Sequence, residues 1–295
     1  LSMMPTMAWA DADGIAVQTV SDTQTESSVA EVAIRGSSTK YYDNIRDAFT
    51  AADVEGQTAT VKLLQNTVLD DSTAMGIQLS NGGIIALDLN GCTLSQKVQS
   101  NTQLYSATIV LDASYDSSST KIDKAFLTID DTSASQNGAI IQPNNAAAVC
   151  NDHGELTVKN GAIKTIDNDS YALYTLGKTY IQGGTIGAEG RNGLLTYPGV
   201  NVQLSGGTYS TIAGNNMSLD SMLATGYTFK YTDNSGFPDL TQSSVVGPVT
   251  VIPGSPGVSY KDADGNSQIK ESTEFTYLTS SDSSAIYPVT LTSGW

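Results

Sequence analysis

The chain has 295 residues, with 30 acidic and 14 basic side chains and a formal net charge of −16. Nucleic acids and anionic membranes bind clusters of Lys and Arg, so this charge argues against both as partners. Only 15% of the residues are charged and 27 are glycine. Together with many Ser, Thr, Asn and Asp residues, this composition favours an all-β chain of short strands and turns. No apolar run is long enough to insert into a bilayer.

The first forty residues are expected to precede the main domain. Residues 1–10, LSMMPTMAWA, are apolar and end in Ala-Trp-Ala, which is typical of the end of a secretory signal peptide. An ordinary apolar terminus is the alternative. Residues 11–40 are polar and predict a leader that is weakly structured, apart from an extended segment at 30–34. We therefore expect a secreted or cell-surface protein.

A short amphipathic helix is predicted at residues 43–52, with Asp43 capping its start and Gly56 following its end. Its apolar stripe consists of Ile45, Ala48, Phe49 and Ala52. Runs rich in Val, Ile, Leu and Thr then predict strands. These runs lie at 58–64, 77–79, 84–89 and 107–111, and a polar loop follows at 115–120.

A 23-residue repeat organises the segment from 154 to 209. Gly161, Gly184 and Gly207 follow this step, and so do three sets of strand residues. The sets are Leu156, Thr179 and Val202; Val158, Ile181 and Leu204; and Ile163, Ile186 and Tyr209. A further block places Val149, Ala172 and Leu195 in one register. A fixed period with recurrent glycines predicts a solenoid of stacked parallel strands, whose open end the helix at 43–52 would cover.

The period ends after residue 212. Residues 217–224 predict a short helix or turn, and 226–231 and 245–252 predict strands. A hairpin is expected about Asp264-Gly265, and the last strands at 274–278 and 286–291.

Two segments resemble a known family. YDNIRDAFTAADVEGQTATVKLLQNTVLDD, followed by GGIIALDLNGCTL, resembles the entry segment of right-handed parallel β-helix proteins of the pectate-lyase-like superfamily. Together with MLATGYTFKYTDNSG, it is similar to large surface proteins of gut Gram-positive bacteria. The resemblance implies a right-handed single-stranded parallel β-helix at 41–240 with an N-terminal capping helix. A C-terminal appendage of strands and a hairpin is expected at 241–295.

The preferred functional prediction is a non-catalytic surface module that is adhesive, glycan-binding, protein-binding or structural, for example a stalk or fibre. The alternative is a polysaccharide-degrading hydrolase or lyase of the same fold. The resemblance implies that a polygalacturonase-like hydrolase would carry paired aspartates one winding before a His-Gly, as an acid–base pair, and an Arg-x-Lys after them. Here Asp130 and Asp131 precede His153 by about one winding. No Arg-x-Lys follows, however, and both aspartates also suit capping of the turn DDTSAS. A lyase of this fold would act on an anionic uronate substrate. The chain has only three arginines and no basic cluster near the windings, so it has no obvious binding site for such a substrate.

Tyr174 and Tyr197 are the predicted ligand-binding residues. They are 23 positions apart, so they should lie one above the other, with Asn151 a further winding away. Facing outward, they would form an aromatic ladder on which sugar rings could stack; facing inward, they would be core residues. The sequence leaves both open. A glycan or a host or bacterial surface protein is the expected partner.

No cofactor and no metal are predicted, because the chain has one histidine and two cysteines and no metal-binding motif. Cys92 and Cys150 are interpreted as thiols packed along the core, and one disulfide is the alternative. The segment 262–266 begins like a calcium loop but lacks the required Gly and Glu, so a hairpin turn is preferred. Residues 167–169 are likewise read as a solvated turn rather than a cation site.

Overall fold

The computed structural model describes residues 20–69, 75–98, 106–112, 114–115, 121–122, 125–254, 258–261, 267–270 and 289–291. The predictions for residues 1–19, the loop at 116–120, the turn at 262–266 and the strand at 274–278 lie outside these residues. Within them the chain is mostly β-strand, as its composition predicts, and most strands belong to two long sheets.

The described elements are two short helices and 27 strands. The helices are α1 (Ile45–Ala52) and α2 (Leu219–Met222). The strands are β1 (Val20–Ser21), β2 (Ala30–Ile34), β3 (Lys40–Tyr42), β4 (Thr58–Leu63), β5 (Thr67–Leu69), β6 (Ile77–Leu79), β7 (Ile84–Asp88), β8 (Thr93–Gln96), β9 (Ile109–Leu111), β10 (Ser114–Tyr115), β11 (Lys121–Ile122), β12 (Phe126–Asp130), β13 (Ala139–Gln142), β14 (Val149–Asn151), β15 (Glu155–Val158), β16 (Ala162–Thr165), β17 (Tyr171–Thr175), β18 (Lys178–Ile181), β19 (Thr185–Ile186), β20 (Asn192–Leu195), β21 (Val202–Leu204), β22 (Thr208–Ala213), β23 (Tyr227–Tyr231), β24 (Ser244–Pro253), β25 (Val258–Lys261), β26 (Ser267–Lys270) and β27 (Val289–Leu291).

Three rows of parallel strands form the body of the molecule. The first row is β4-β7-β12-β15-β18-β21, within a nine-stranded sheet. The second row is β5-β8-β13-β16-β19-β22 and the third is β6-β9-β14-β17-β20, and both belong to a 13-stranded sheet in which they meet at β22. The chain visits the first, second and third rows in turn, so each repeat adds one strand to each row.

The predicted 23-residue step is confirmed in the first two rows. Leu156 pairs with Thr179, which pairs with Val202. In the second row, Ile163 pairs with Ile186. All of these side chains are buried, because alternate residues of a strand point to the same face. Equivalent residues of successive repeats therefore line one continuous hydrophobic core.

The third row departs from the predicted register. Val149 pairs with Leu173, and Leu173 pairs with Leu194. The prediction that Val149, Ala172 and Leu195 share one register is therefore wrong by one residue in β17 and by one residue in β20. The loops before and after the third row differ in length between repeats, which shifts its register. Ala172 and Leu173 are both buried, so the alternation in β17 does not reveal which of them is the equivalent of Val149.

The turn between the first and second rows recurs at the predicted glycines. Gly161, Gly184 and Gly207 have φ angles of +86°, +81° and +89°, a conformation that side chains with a Cβ rarely adopt. A Cβ on Gly184 would also lie 2.5 Å from the carbonyl oxygen of Gly161. Glycine recurs because the turn needs both a positive φ and a close approach between repeats.

Antiparallel strands and α1 pack on the first repeat. β2 pairs antiparallel with β4 and with β3, so part of the predicted leader belongs to the nine-stranded sheet. The stripe of α1 is buried as predicted, and the helix packs on β2, β3 and β4. Its N-cap is Asn44 rather than the predicted Asp43, since Asn44 Oδ1 accepts a hydrogen bond from the Arg46 N–H at 2.8 Å.

The last repeat is also covered by antiparallel strands. β24 pairs with β22 on one side and with β23 on the other. Pairing therefore continues past residue 240, where the sequence predicts the end of the main domain. β25, β26 and β27 form a separate three-stranded sheet, in which β25 and β26 pair as the predicted hairpin.

Candidate functional site

The outer face of the third row carries a line of partly exposed side chains. Cys150 pairs with Tyr174, and Tyr174 pairs with Leu195. All three side chains are partly exposed, whereas their neighbours Val149, Leu173 and Leu194 are buried. The sheet backbone therefore fixes a cysteine, a tyrosine and a leucine side by side on the outside of successive repeats.

Strand β17 places two tyrosines on this face. Tyr171 and Tyr174 are both partly exposed, and the two residues between them are buried. Ala172 and Leu173 are consecutive buried residues, so β17 departs from the strict alternation of an ideal strand although its register on β20 is continuous. Because the alternation breaks here, the sequence pattern could not decide which tyrosines face outward.

The structure brings the two predicted ligand-binding residues together. The ring centroids of Tyr174 and Tyr197 are 5.9 Å apart, and the ring planes meet at 69°. This edge-to-face contact arises because Tyr174 pairs with Leu195, two residues before Tyr197. The rings therefore form a corner rather than the predicted ladder. Asn151, predicted to extend that ladder, is fully buried, and Cys150 takes its place.

A recess of about 320 Å³ opens beside Tyr174. It is lined by Ala107, Ala146, Ala147, Cys150, Ser170, Tyr171 and Tyr174. Burial raises the pKa of the Tyr174 phenol, and Tyr197 adds to this rise. The phenol therefore stays protonated at neutral pH, where it can donate and accept hydrogen bonds. Small side chains flanked by tyrosines form an open site with a polar edge.

The thiol of Cys150 in this recess is not set up as a nucleophile. Burial, together with Asp152 and Asp112, raises its pKa to about 12, and a protonated thiol is a poor nucleophile. Cys92 and Cys150 are both free thiols. The structure therefore does not contain the Cys92–Cys150 disulfide, which was the alternative to two packed thiols. Cys150 faces outward, contrary to the prediction of core packing, while Cys92 packs against the core.

Asp131 is a buried residue that holds a turn. Its carboxylate accepts hydrogen bonds from the backbone N–H groups of Gly91 at 2.8 Å, Ser133 at 3.1 Å and Gly138 at 2.6 Å. Burial raises the pKa of Asp131, but the hydrogen bonds from Ser133, Gly138 and Gly91 outweigh it and lower the pKa below its ordinary value. This is the capping role that the turn DDTSAS offered as the alternative to catalysis.

The structure does not bring Asp131 and His153 together. His153 lies two residues before Glu155, which pairs with Phe126, five residues before Asp131. Since a strand rises about 3.3 Å per residue, Asp131 lies about 16 Å beyond Glu155 along the paired strands, and His153 lies in the bend at the Glu155 end. Asp130 is partly exposed and accepts a hydrogen bond from Asn160 Nδ2 at 3.1 Å. The acid–base set proposed for Asp130, Asp131 and His153 therefore lacks convergent geometry.

Within the described ranges, no three or more His, Cys, Asp or Glu side chains are grouped so that they could hold a metal ion. The carboxylate of Asp167 accepts hydrogen bonds from the N–H groups of Asp169 at 2.8 Å and Ser170 at 2.9 Å, as expected for a turn. Neither described helix has the length and apolar character needed to cross a membrane.

Comparison of the chain with protein-family models finds no matching family. Comparisons with curated proteins and with solved structures also find no match. The resemblance to β-helix surface proteins stays a prediction. Function must be argued from the site, since one fold can carry many activities.

Proposed function

We propose that the chain is a non-catalytic, secreted or cell-surface module that binds glycan through the outer tyrosines of the third row. In this proposal the three rows are the faces of a right-handed single-stranded parallel β-helix. The support is that each repeat contributes one strand to each row, with parallel pairing between repeats. α1 is its N-terminal cap, and the sheet β25–β27 is its C-terminal appendage.

The observation that carries the proposal is the corner formed by Tyr174 and Tyr197 beside the recess. Sugar rings present C–H groups that pack on aromatic faces, and phenol groups at the rim can hydrogen-bond to hydroxyls. Tyr174 lies on a strand that is paired on both sides, so its position is fixed before a ligand arrives. Pre-formed sites of this kind lose little conformational entropy on binding.

The placement of the candidate catalytic residues favours binding without turnover. General acid–base catalysis needs groups within hydrogen-bond reach of the reacting atoms. Asp131 is committed to three backbone N–H groups, and His153 lies near the other end of the strand. The thiol in the recess is protonated, since its pKa is about 12. These residues support a structural role for the acids and a binding role for the tyrosines.

A glycan array combined with a reducing-sugar assay on the whole chain tests this proposal. We expect binding to at least one glycan without release of reducing ends. Tyr174→Ala should weaken that binding about tenfold, because stacking on an aromatic face is lost. Tyr180→Ala is the matched control, since Tyr180 is a partly exposed tyrosine on the outer face of the first row.

Three results would overturn the proposal. Release of reducing ends would show that the chain is an enzyme. Failure to bind any glycan, or equal losses from Tyr174→Ala and Tyr180→Ala, would remove the tyrosine corner as the binding site.

A further inference from the structure

The recess beside Tyr174 is a step between neighbouring repeats. Cys150 pairs with Tyr174, so a small side chain on one repeat lies next to a large one on the following repeat. The same change of size occurs two positions before residues that pair with one another in the third row, at Ala107 before Ile109, Ala147 before Val149 and Tyr171 before Leu173. The recess therefore exists because two repeats carry a methyl group where the next carries a phenol ring.

The wall of the recess is uncharged. Among the described residues, those that line it are three alanines, two tyrosines, one serine and one cysteine. Burial is the main reason that the pKa of the Cys150 thiol is about 12, and it also raises the pKa of the Tyr174 phenol. Both groups are therefore neutral at physiological pH. A charged group that entered would lose hydration without meeting an opposite charge on the wall, so the wall favours an uncharged ligand.

Ser170 supplies a hydrogen-bond acceptor to the recess. Its hydroxyl group donates its single proton to Asn145 Oδ1 at 2.9 Å, so the hydroxyl oxygen is left to act as an acceptor. Its backbone N–H donates to the Asp167 carboxylate at 2.9 Å, which fixes the serine within the turn. A ligand group that meets this oxygen should therefore offer an N–H or an O–H.

We infer that the recess binds an N-acetylated hexosamine unit, with its acetamido group in the recess and its sugar ring on Tyr174. An acetamido group is uncharged, ends in a methyl group and carries one N–H. The methyl group packs on the three alanine side chains, and the N–H donates to the Ser170 oxygen. The volume of about 320 Å³ lies near the lower end of the range for ligand sites, about 300–1,000 Å³, as suits one sugar unit. This inference rests on the proposed function and adds the chemical class of the ligand.

Titration calorimetry of the whole chain with two oligosaccharides of the same linkage and length tests this ligand class. The probes are an N-acetylglucosamine oligomer and a glucose oligomer, which differ only in whether an acetamido group or a hydroxyl group stands on each ring. We expect the N-acetylated oligomer to bind about tenfold more tightly, because it buries a methyl group and gains a hydrogen bond. Equal affinities, or tighter binding of the glucose oligomer, would overturn the inference.

Ala147→Leu is the decisive variant, because it fills the recess. Tyr171 occupies the corresponding place on the next repeat, so the outer face accepts a large side chain there. The affinity for the N-acetylated oligomer should fall about tenfold, to near that for the glucose oligomer. Ala86→Leu is the matched control, since Ala86 is a partly exposed alanine on the outer face of the first row, and it should leave both affinities unchanged. Circular dichroism verifies that both variants are folded.

Ser170→Ala tests the hydrogen bond separately. It removes the acceptor without filling the recess, so the preference for the N-acetylated oligomer should fall about fivefold while the affinity for the glucose oligomer stays the same. A preference that persists unchanged in Ala147→Leu or in Ser170→Ala would overturn the inference and leave glycan binding intact. If neither oligomer binds while another glycan does, the N-acetylated ligand class is wrong. If no glycan binds at all, the proposed function is also wrong.

Discussion

Asp131 illustrates how a single buried carboxylate can connect two repeats. It accepts hydrogen bonds from Gly91 in one repeat and from Ser133 and Gly138 in the next. Asp53 does the same where α1 ends, accepting from Ser80, Asn81 and Gly83. Hydrogen bonds to a charged acceptor are stronger than neutral ones. These buried acids are therefore best understood as parts of the fold.

Replacing Asp131 should destabilise the chain. Asp131→Asn removes the charge and converts one acceptor oxygen into a donor that faces backbone N–H groups. We expect the free energy of unfolding to fall by about 2 kcal/mol, as measured by denaturant titration. Asp169→Asn, at an exposed aspartate, should change it by less than about 0.5 kcal/mol. Equal effects of the two variants would contradict the turn-holding role.

The lowered pKa of Asp131 also predicts a specific pH dependence. A carboxyl whose folded-state pKa is depressed contributes stability that is present above its unfolded-state pKa and is lost as pH falls through the folded-state pKa. Its ordinary value is 3.8, so this contribution should be constant at neutral pH and disappear in more acidic solution. Thermal unfolding at a series of pH values should show a shallower acid loss for Asp131→Asn. Parallel curves for the two proteins would refute the assignment.

Two buried threonines of the third row offer a matched comparison. The Thr175 hydroxyl lies 2.6 Å from the Thr179 hydroxyl and donates to the Gly177 carbonyl oxygen at 3.0 Å. The Thr196 hydroxyl, one repeat later, is buried without a hydrogen-bond partner in the described part of the chain. Thr175→Val should lower the free energy of unfolding by about 1 kcal/mol, while Thr196→Val should be neutral or stabilising. Denaturant titrations that reverse this order would show that the hydroxyl network is misassigned.

At the scale of elements, the sequence predicts the first two rows better than the third. Leu156, Thr179 and Val202 follow the 23-residue step because the last two repeats have the same total length. In the third row, Val149 and Leu173 lie 24 positions apart, and Leu173 and Leu194 lie 21 apart. The loop before this row and the loop after it change length in opposite directions. The total length of the repeat therefore does not reveal the shift in strand register.

The candidate site was predictable in its members but not in its geometry. The spacing of Tyr174 and Tyr197 predicted their proximity, and the rings are in contact. Their edge-to-face angle and the outward position of Tyr171 depend on two consecutive buried residues in β17, which strict alternation does not anticipate. Likewise, a spacing of about one repeat between Asp131 and His153 does not show that they lie near opposite ends of a strand.

The glycine turns can be tested by two alanine substitutions. Gly184 and Gly190 both have positive φ, at +81° and +70°, but only Gly184 would bring a Cβ within 4 Å of other atoms. Gly190→Ala should cost about 1 kcal/mol for the backbone conformation alone. Gly184→Ala should cost about 3 kcal/mol, because the carbonyl group of Gly161 must also move. Similar losses of unfolding free energy would mean that the repeats do not approach closely at this turn.

At the scale of the whole molecule, the covered terminal strands bear on self-assembly. β2 pairs on β4 and β24 pairs on β22, and the strands at the remaining row ends, β5, β6 and β21, are only 3 residues long, which limits the edge that they offer to another chain. Open edges are the usual route by which sheets pair with other chains. We expect light scattering to give the mass of a single chain, 30.9 kDa, at all concentrations. A mass that grows with concentration would favour the fibre hypothesis.

The central claim is that outward residues one repeat apart are neighbours, since the tyrosine corner depends on this stacking. Disulfide formation between Thr157→Cys and Tyr180→Cys, in a chain with Cys92→Ala and Cys150→Ala, tests it most directly. These positions pair across β15 and β18, about 4.8 Å apart, which is within the Cα range for a disulfide. A control chain carries Thr157→Cys and Tyr171→Cys, whose positions lie in different rows. We predict rapid oxidation of the first pair and none of the second; equal cross-linking of both pairs, or of neither, would contradict the stacked repeats.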